Sequence, residues 1–113
     1  MNKTTTTNEG HKTDSGKVRM DLLDAPAITE LARVMTHGAK KYGDYNYKKG
    51  IDYSRMYGAI LRHLFSFWAG EDHDAETNLP HLAHAMAGCM MLLWYQNEKT
   101  EYDDRPEYFT LLA

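Results

Sequence analysis

The sequence predicts an all-α fold, a small helical bundle completed by homo-oligomerisation. Three observations carry that prediction. Apolar residues recur at three- and four-residue spacing in three separate segments. Each segment opens on an acid, an asparagine or a proline suited to a helix start, and glycine closes the first two. No strand-like alternation and no internal repeat occurs anywhere in the chain.

The first helix opens at Asp24, a good N-cap, with Pro26 in the first turn where its missing N–H costs nothing. Ile28, Leu31 and Met35 give a stripe expected to be buried, and Gly43 ends the helix. The segment that follows, Tyr42 to Gly50, is turn-forming yet rich in tyrosine. Asp52 is expected to cap a second helix that runs to about Ala69 and stops at Gly70. Met56, Ile60, Leu64 and Phe67 make its main apolar face, flanked by Tyr57, Leu61, Phe65 and Trp68. Asn78 and Pro80 introduce a third helix that continues to about Gln96.

From Leu82 to Tyr95 the third helix is apolar or small nearly all the way round, which implies central burial. Three helices cannot fully cover such a helix. Phe65, Trp68, Trp94 and the terminal Phe109, Leu111 and Leu112 add further apolar area, at roughly 25 cal/mol per Å². A homodimer or homotetramer is the expected remedy.

A length of 113 residues suits one domain. Residues 1–15 are polar and read as a disordered arm, 16–98 as the domain, and 99–113 as a tail that packs on the bundle or a partner subunit. Neither a run of about 18 apolar residues nor a signal-like apolar segment is present, so a cytoplasmic protein with no membrane partner is expected (host cytoplasm if phage-encoded). The single cysteine, Cys89, lies in an apolar stretch and is expected to be buried and inert, with no disulfide in the design.

The formal charge of −3 with a pI near 6.0 argues against a nucleic-acid partner. Its distribution is uneven. Lys40, Lys41, Lys48, Lys49, Arg55 and Arg62 lie in the first two-thirds, whereas acids dominate from Glu71 onward. That division suits a polyanionic substrate that reaches the acids through a metal.

The richest segment runs from Arg62 to His84. Glu71, Asp72, Asp74 and Glu76 crowd one turn, and His81 and His84 then open an apolar helix. Acids that close repel one another unless water or a cation offsets the repulsion. A solvated turn explains the acids but not two histidines set into a hydrophobic segment after them. His81 and His84, at i and i+3, share a helix face. By themselves they read first as hydrogen-bonded core or cap histidines; beside Glu71 and Asp74 they read as a divalent-metal site. Carboxylates with imidazoles suit Mn²⁺, Zn²⁺ or Fe²⁺, and carboxylates alone suit Mg²⁺.

Basic and aromatic residues supply the candidate substrate contacts. Arg62 and His63 adjoin the acids, and an arginine there can neutralise phosphate oxygens bidentately. Arg55 reads as an ordinary solvated residue. Lys41, Tyr42, Asn46 and Tyr47 offer phosphate contacts, a stacking surface and amide recognition of a base edge. Lys17 and Arg19 alternate with Val18 and Met20, as in an extended segment laying its apolar side on the bundle. They are either solvated or clamp phosphates from above.

These motifs together resemble a known family. The order G-K-x-R-x-D-L-L, G-A-x-K-Y-G-x-x-N, R-H-L, G-E-D-x-D-x-E and P-H-L-A-H-A is similar to the dATP/dGTP diphosphohydrolases found mainly in phages, which belong with the MazG-like all-α nucleoside triphosphate pyrophosphatases. The resemblance covers Gly16 to about Tyr95. It implies a metal-dependent enzyme, with Mg²⁺ or Mn²⁺, that cleaves a purine dNTP (dGTP, or dATP) between the α and β phosphates. The products would be dNMP and pyrophosphate, and dGMP would feed 2-aminoadenine nucleotide synthesis. MazG-like enzymes usually carry E-x-x-E on one helix and E-x-x-D on the next. Here E-x-x-D lies in a turn and the following helix carries H-x-x-H.

The expected roles follow. Glu71, Asp74, His81 and His84 hold the metal. Glu71, Asp72 and Arg62 serve catalysis, with Asp72 or Glu76 accepting a proton from water. Lys17, Arg19, Lys41, Tyr42, Asn46, Tyr47, Arg62 and His63 hold the nucleotide. Two alternatives remain open. One is an HD-type phosphohydrolase using His63 with His73-Asp74; the other is a non-enzymatic helical protein that binds a nucleotide or a partner.

Overall fold

The computed structural model describes residues 10–107. Three helices form: α1 (Ala25–Tyr42), α2 (Tyr53–Trp68) and α3 (His81–Glu98). Short 3₁₀ turns lie at Met20–Leu22, Asn46–Lys49 and Thr100–Tyr102. No strand forms among the described residues, and no helix among them is long and apolar enough to cross a membrane.

The ends of α1 follow the sequence closely. The Asp24 carboxylate accepts the Ala27 N–H at 3.0 Å, and Gly43 leaves the helix at φ 98°. The start of α2 differs. Asp52 occupies the cap position but makes no side-chain bond there. The carboxylate comes instead from Asp104, which accepts the Ser54 N–H at 2.8 Å and the Ser54 hydroxyl at 2.5 Å. A tertiary cap from the tail does the work assigned to a local one. At the start of α3, Asn78 takes a left-handed φ of 57° and Pro80 sets the extended entry.

α3 is the hub. It packs against both α2 and α1, and those two lean on it rather than on each other. Gly88 permits the close α2–α3 approach, since a Cβ there would sit 2.5 Å from Cγ1 of Ile60. The core is built on Tyr53, Met56 and Tyr95, with Ile51, Met91, Leu92, Trp94 and Tyr102 around it. Tyr95 is wholly buried, and its hydroxyl is satisfied from both sides. It donates to the Tyr47 carbonyl at 2.5 Å and accepts the Gly50 N–H at 3.0 Å, fixing the tyrosine-rich turn against α3.

Two helices cover only part of α3, and several expected burials fail for that reason. α3 is the central helix, with six buried residues, but Leu82 and Leu93 leave one side of it exposed, and Cys89 is exposed, so the buried cysteine is corrected. Leu31 and Met35 are half-buried and Ile28 is exposed, leaving α1 without a buried residue. On α2, Met56 and Ile60 are buried, but Leu64, Tyr57, Phe65 and Trp68 are exposed, Trp68 at 87%. The segment before α1 is also corrected. It tightens into the Met20–Leu22 turn with Val18, Met20 and Leu22 facing outward, instead of laying an apolar side on the bundle. In the tail, Tyr102 sets its ring edge-on to Tyr95 at 5.7 Å. Phe109, Leu111 and Leu112 lie outside the described residues.

Candidate functional site

Four polar side chains meet where α2, the 70–80 turn and the first turn of α3 come together. α2 presents His63, the turn presents Asp74, and α3 presents His81 and His84. The turn is held rigid by its own backbone. Asp74 N–H donates to the Leu79 carbonyl, Asn78 N–H to the Asp74 carbonyl, and His81 N–H to the Asp72 carbonyl, all within 2.9 Å. The Asp74 carboxylate accepts the N–H groups of Glu76 and Thr77 at 3.1 and 2.9 Å, and the Thr77 hydroxyl at 3.2 Å.

The histidines form one connected group. Nδ1 of His63 lies 2.9 Å from Nδ1 of His81. The His63 ring stacks on that of His84, centroids 4.4 Å apart and planes 5° from parallel. Nε2 of His84 meets the Thr77 hydroxyl at 2.7 Å, and Nε2 of His81 meets Glu71 Oε1 at 2.5 Å. His81 is 3% exposed, so this bonding is obligatory rather than incidental. His63, Asp74 and His81 each direct one donor atom into a common space, all within 4.8 Å of one another.

Electrostatics favour the ligand-ready forms. Burial, followed by the neighbouring His84, holds the His63 imidazole below its ordinary range. Burial likewise lowers His84, against an opposing pull from Asp74. Desolvation would raise the Asp74 carboxyl, but the Thr77 N–H and hydroxyl with the two nearby imidazoles outweigh it and hold the group low. These shifts bias His63 and His84 toward the neutral imidazole and Asp74 toward the carboxylate, the forms a cation requires.

Beside this group runs a groove of about 620 Å³ between the end of α1, the tyrosine-rich turn and α3. Lys41, Tyr42, Asn46, Tyr47 and His63 line it, so five residues expected to hold the nucleotide share one cavity with Asp74 and His84. Lys41 crosses the groove to pair with Glu76 at 2.9 Å. Arg62 lines a contiguous cavity of about 460 Å³ that also reaches His63 and His84.

Lys17, Arg19, Glu71 and Asp72 do not line the groove. Arg19 is engaged bidentately by Asp21 at 2.7 Å, and neither it nor Lys17 lines either cavity. Asp72 is exposed and contributes its carbonyl, not its carboxylate. Glu71 bonds the far nitrogen of His81 and is not one of the three converging donors. His84 supplies the stack over His63 and the contact to Thr77. His63, expected against substrate, is one of the three. In the His73-Asp74 pair only Asp74 reaches the group; His73 is exposed and bridges by its backbone to Pro80.

Three groove residues escaped the sequence reading: His37, Arg55 and Thr77. Arg55 is exposed, as expected of a solvated face, and it also lines both cavities. Its spacing of seven from Arg62 was the available signal, since two turns of helix return to the same face.

The family model described as dATP/dGTP diphosphohydrolase, N-terminal, matches residues 7–105. A dATP/dGTP diphosphohydrolase of Salmonella phage PMBT28 is 40% identical over 96 residues, covering 85% of this chain and 33% of that protein. The chain thus spans about a third of the length of the curated relative it matches. No solved structure matches. With a match over nearly its whole length, the chain belongs to the dATP/dGTP diphosphohydrolase family, in the region described by that family's N-terminal model.

Proposed function

We propose that this chain hydrolyses a purine deoxynucleoside triphosphate, dGTP or dATP, to the monophosphate and pyrophosphate with the help of a divalent cation. The observation that carries the reading is the convergence of His63, Asp74 and His81 beside a groove that His63 and Asp74 line with tyrosines, an asparagine and a lysine. The family relative's printed name supports the substrate class.

The donor set fits a cation. Two imidazole nitrogens facing each other at 2.9 Å, with an ionised carboxylate beside them, can share a metal as readily as a proton. One carboxylate and two imidazoles suit Mn²⁺ well and Mg²⁺ less well, since Mg²⁺ prefers oxygen donors. His63, Asp74 and His81 would hold the ion. The chemistry such an ion supplies when bound is a more acidic water and neutralisation of phosphoryl oxygens.

The remaining steps fall to the chain itself. Tyr42 and Tyr47 would stack the base and Asn46 would read its edge, since all three line the groove. Arg55 and Arg62 would take the charge of the β and γ phosphates, a role geometry favours for them over Lys17 and Arg19. Of the two candidate proton acceptors, Glu76 lines the groove and Asp72 does not. As water adds to the α-phosphorus and the α–β bridge breaks, Glu76 would take the proton and pyrophosphate would leave against the arginines. A dGMP product would serve 2-aminoadenine nucleotide synthesis. The outward Tyr57, Phe65 and Trp68 of α2 support a homodimer or homotetramer as the working form.

The test is a screen of common NTPs and dNTPs with Mn²⁺ or Mg²⁺, with products separated by chromatography. Purine dNTP consumption with pyrophosphate release is expected. Release of intact triphosphate would favour the HD-type reaction instead, and no turnover of any nucleotide would end the enzymatic reading for this chain.

A further inference from the structure

We infer that Glu71 is a positioning residue that sets the tautomer and orientation of His81. The inference rests on the cation reading above but concerns the chain's own hydrogen bonds. His81 is enclosed, and its two ring nitrogens have different partners. Nε2 faces Glu71 Oε1 at 2.5 Å and Nδ1 faces His63 Nδ1 at 2.9 Å. An ionised carboxylate only accepts, so Nε2 must carry a hydrogen. In neutral His81 that leaves the lone pair on Nδ1, directed at the space shared with His63 and Asp74.

Without Glu71 the ring would be free to place its hydrogen on Nδ1, where it would block the donor the site requires. A carboxylate on the outer nitrogen also makes the inner one more basic. The arrangement has a partial counterpart across the site. Thr77 holds Nε2 of His84 while donating to Asp74, so a second ring edge is tied to a fixed oxygen. Glu71 is placed for this role by backbone geometry. Its N–H closes on the Ser66 carbonyl at 3.0 Å, just after Gly70 turns the chain at φ 102°. Its side chain is 57% exposed while that of His81 is 4% exposed, so one carboxylate reaches from solvent to an enclosed ring. A direct ligand would be expected among the converging donors; Glu71 sits behind one of them.

The experiment compares full-length wild type with Glu71→Ala and Glu71→Gln. Long-range ¹H–¹⁵N correlation spectra of ring-labelled, metal-free protein report the His81 tautomer, with His81→Gln assigning the signals. Mn²⁺ affinity is measured by titration on the same samples. Wild type should show His81 protonated at Nε2. Glu71→Ala should move it toward a mixture with the Nδ1–H form and weaken Mn²⁺ binding roughly 10- to 100-fold. Glu71→Gln, which still offers an accepting oxygen, should keep the tautomer and lose less affinity. Wild-type His81 protonated at Nδ1, or a Glu71→Ala spectrum unchanged from wild type, would overturn the inference. If wild type takes up no Mn²⁺, the cation reading fails, yet the metal-free spectra still decide the role of Glu71.

Discussion

His63 and His81 lie 18 residues apart on two different helices, and their Nδ1 atoms face one another at 2.9 Å. With Asp74 they form the point on which the functional reading turns. Replacing His63 by Ala removes one donor and the stacking partner of His84. Turnover of dGTP in Mn²⁺ should fall by more than the roughly 10- to 100-fold typical of an outer-shell partner. The far-ultraviolet dichroism should be unchanged, because His63 is not a core residue. Wild-type turnover in this variant would remove His63 from the site.

Tyr95 links the core to the groove. Its hydroxyl holds the Tyr47 carbonyl and the Gly50 N–H, and both would lose their partner in Tyr95→Phe. The cost to stability should be about 1–3 kcal/mol, the penalty for leaving buried polar groups unmet. Because the tyrosine-rich turn loosens while the histidines stay in place, KM should rise more than kcat falls. A drop confined to kcat would contradict the link.

Tyr42 and Tyr47 should carry base binding. Stacking on an aromatic ring is worth about 1–3 kcal/mol per base. Tyr42→Ala, the more exposed of the two, should therefore raise KM for dGTP roughly 10- to 100-fold. Equal KM values for variant and wild type would place the base elsewhere.

Acid should destabilise the fold in a defined window. His63 and His84 are both held below the ordinary imidazole value of 6.5, burial being the first cause in each. The unfolded chain takes up these protons at higher pH than the native one. Their contribution is whole above about pH 6.5 and is lost as pH falls through the lowered native values. Urea midpoints should decline between about pH 7.5 and pH 5.5, and His84→Gln should flatten the decline. A midpoint that climbs on acidification would reverse the assigned sign.

The outward face of α2 should be an interface. Trp68 is 87% and Phe65 68% exposed, an arrangement costly to leave in water. Phe65→Glu with Trp68→Lys should convert an oligomer to a monomer in light scattering coupled to size exclusion. A wild-type monomer at micromolar concentration would contradict the homo-oligomer.

Much of this was legible in the residues, and the exceptions share a cause. Asp24, Pro26, Gly43 and Gly70 act locally, so both ends of α1 and the C-terminal end of α2 could be read from neighbours in sequence. The cap of α2 could not, because Asp104 reaches Ser54 from 50 residues away. The histidine pair and the acidic turn marked the site's location. They did not rank its members, since which of Glu71, Asp74 and His63 faces His81 Nδ1 depends on how α2 meets α3. Apolar content misled on the uncovered side of α3 and on Cys89, because composition reports what wants burial and not how much covering surface one chain supplies.

The most direct test is an anomalous difference map from crystals soaked in manganese. A peak within bonding distance of His63, Asp74 and His81, with Glu71 still on the outer nitrogen of His81, is the predicted result. A map without density there, with His63 and His81 still bonded to each other in the presence of excess Mn²⁺, would contradict it.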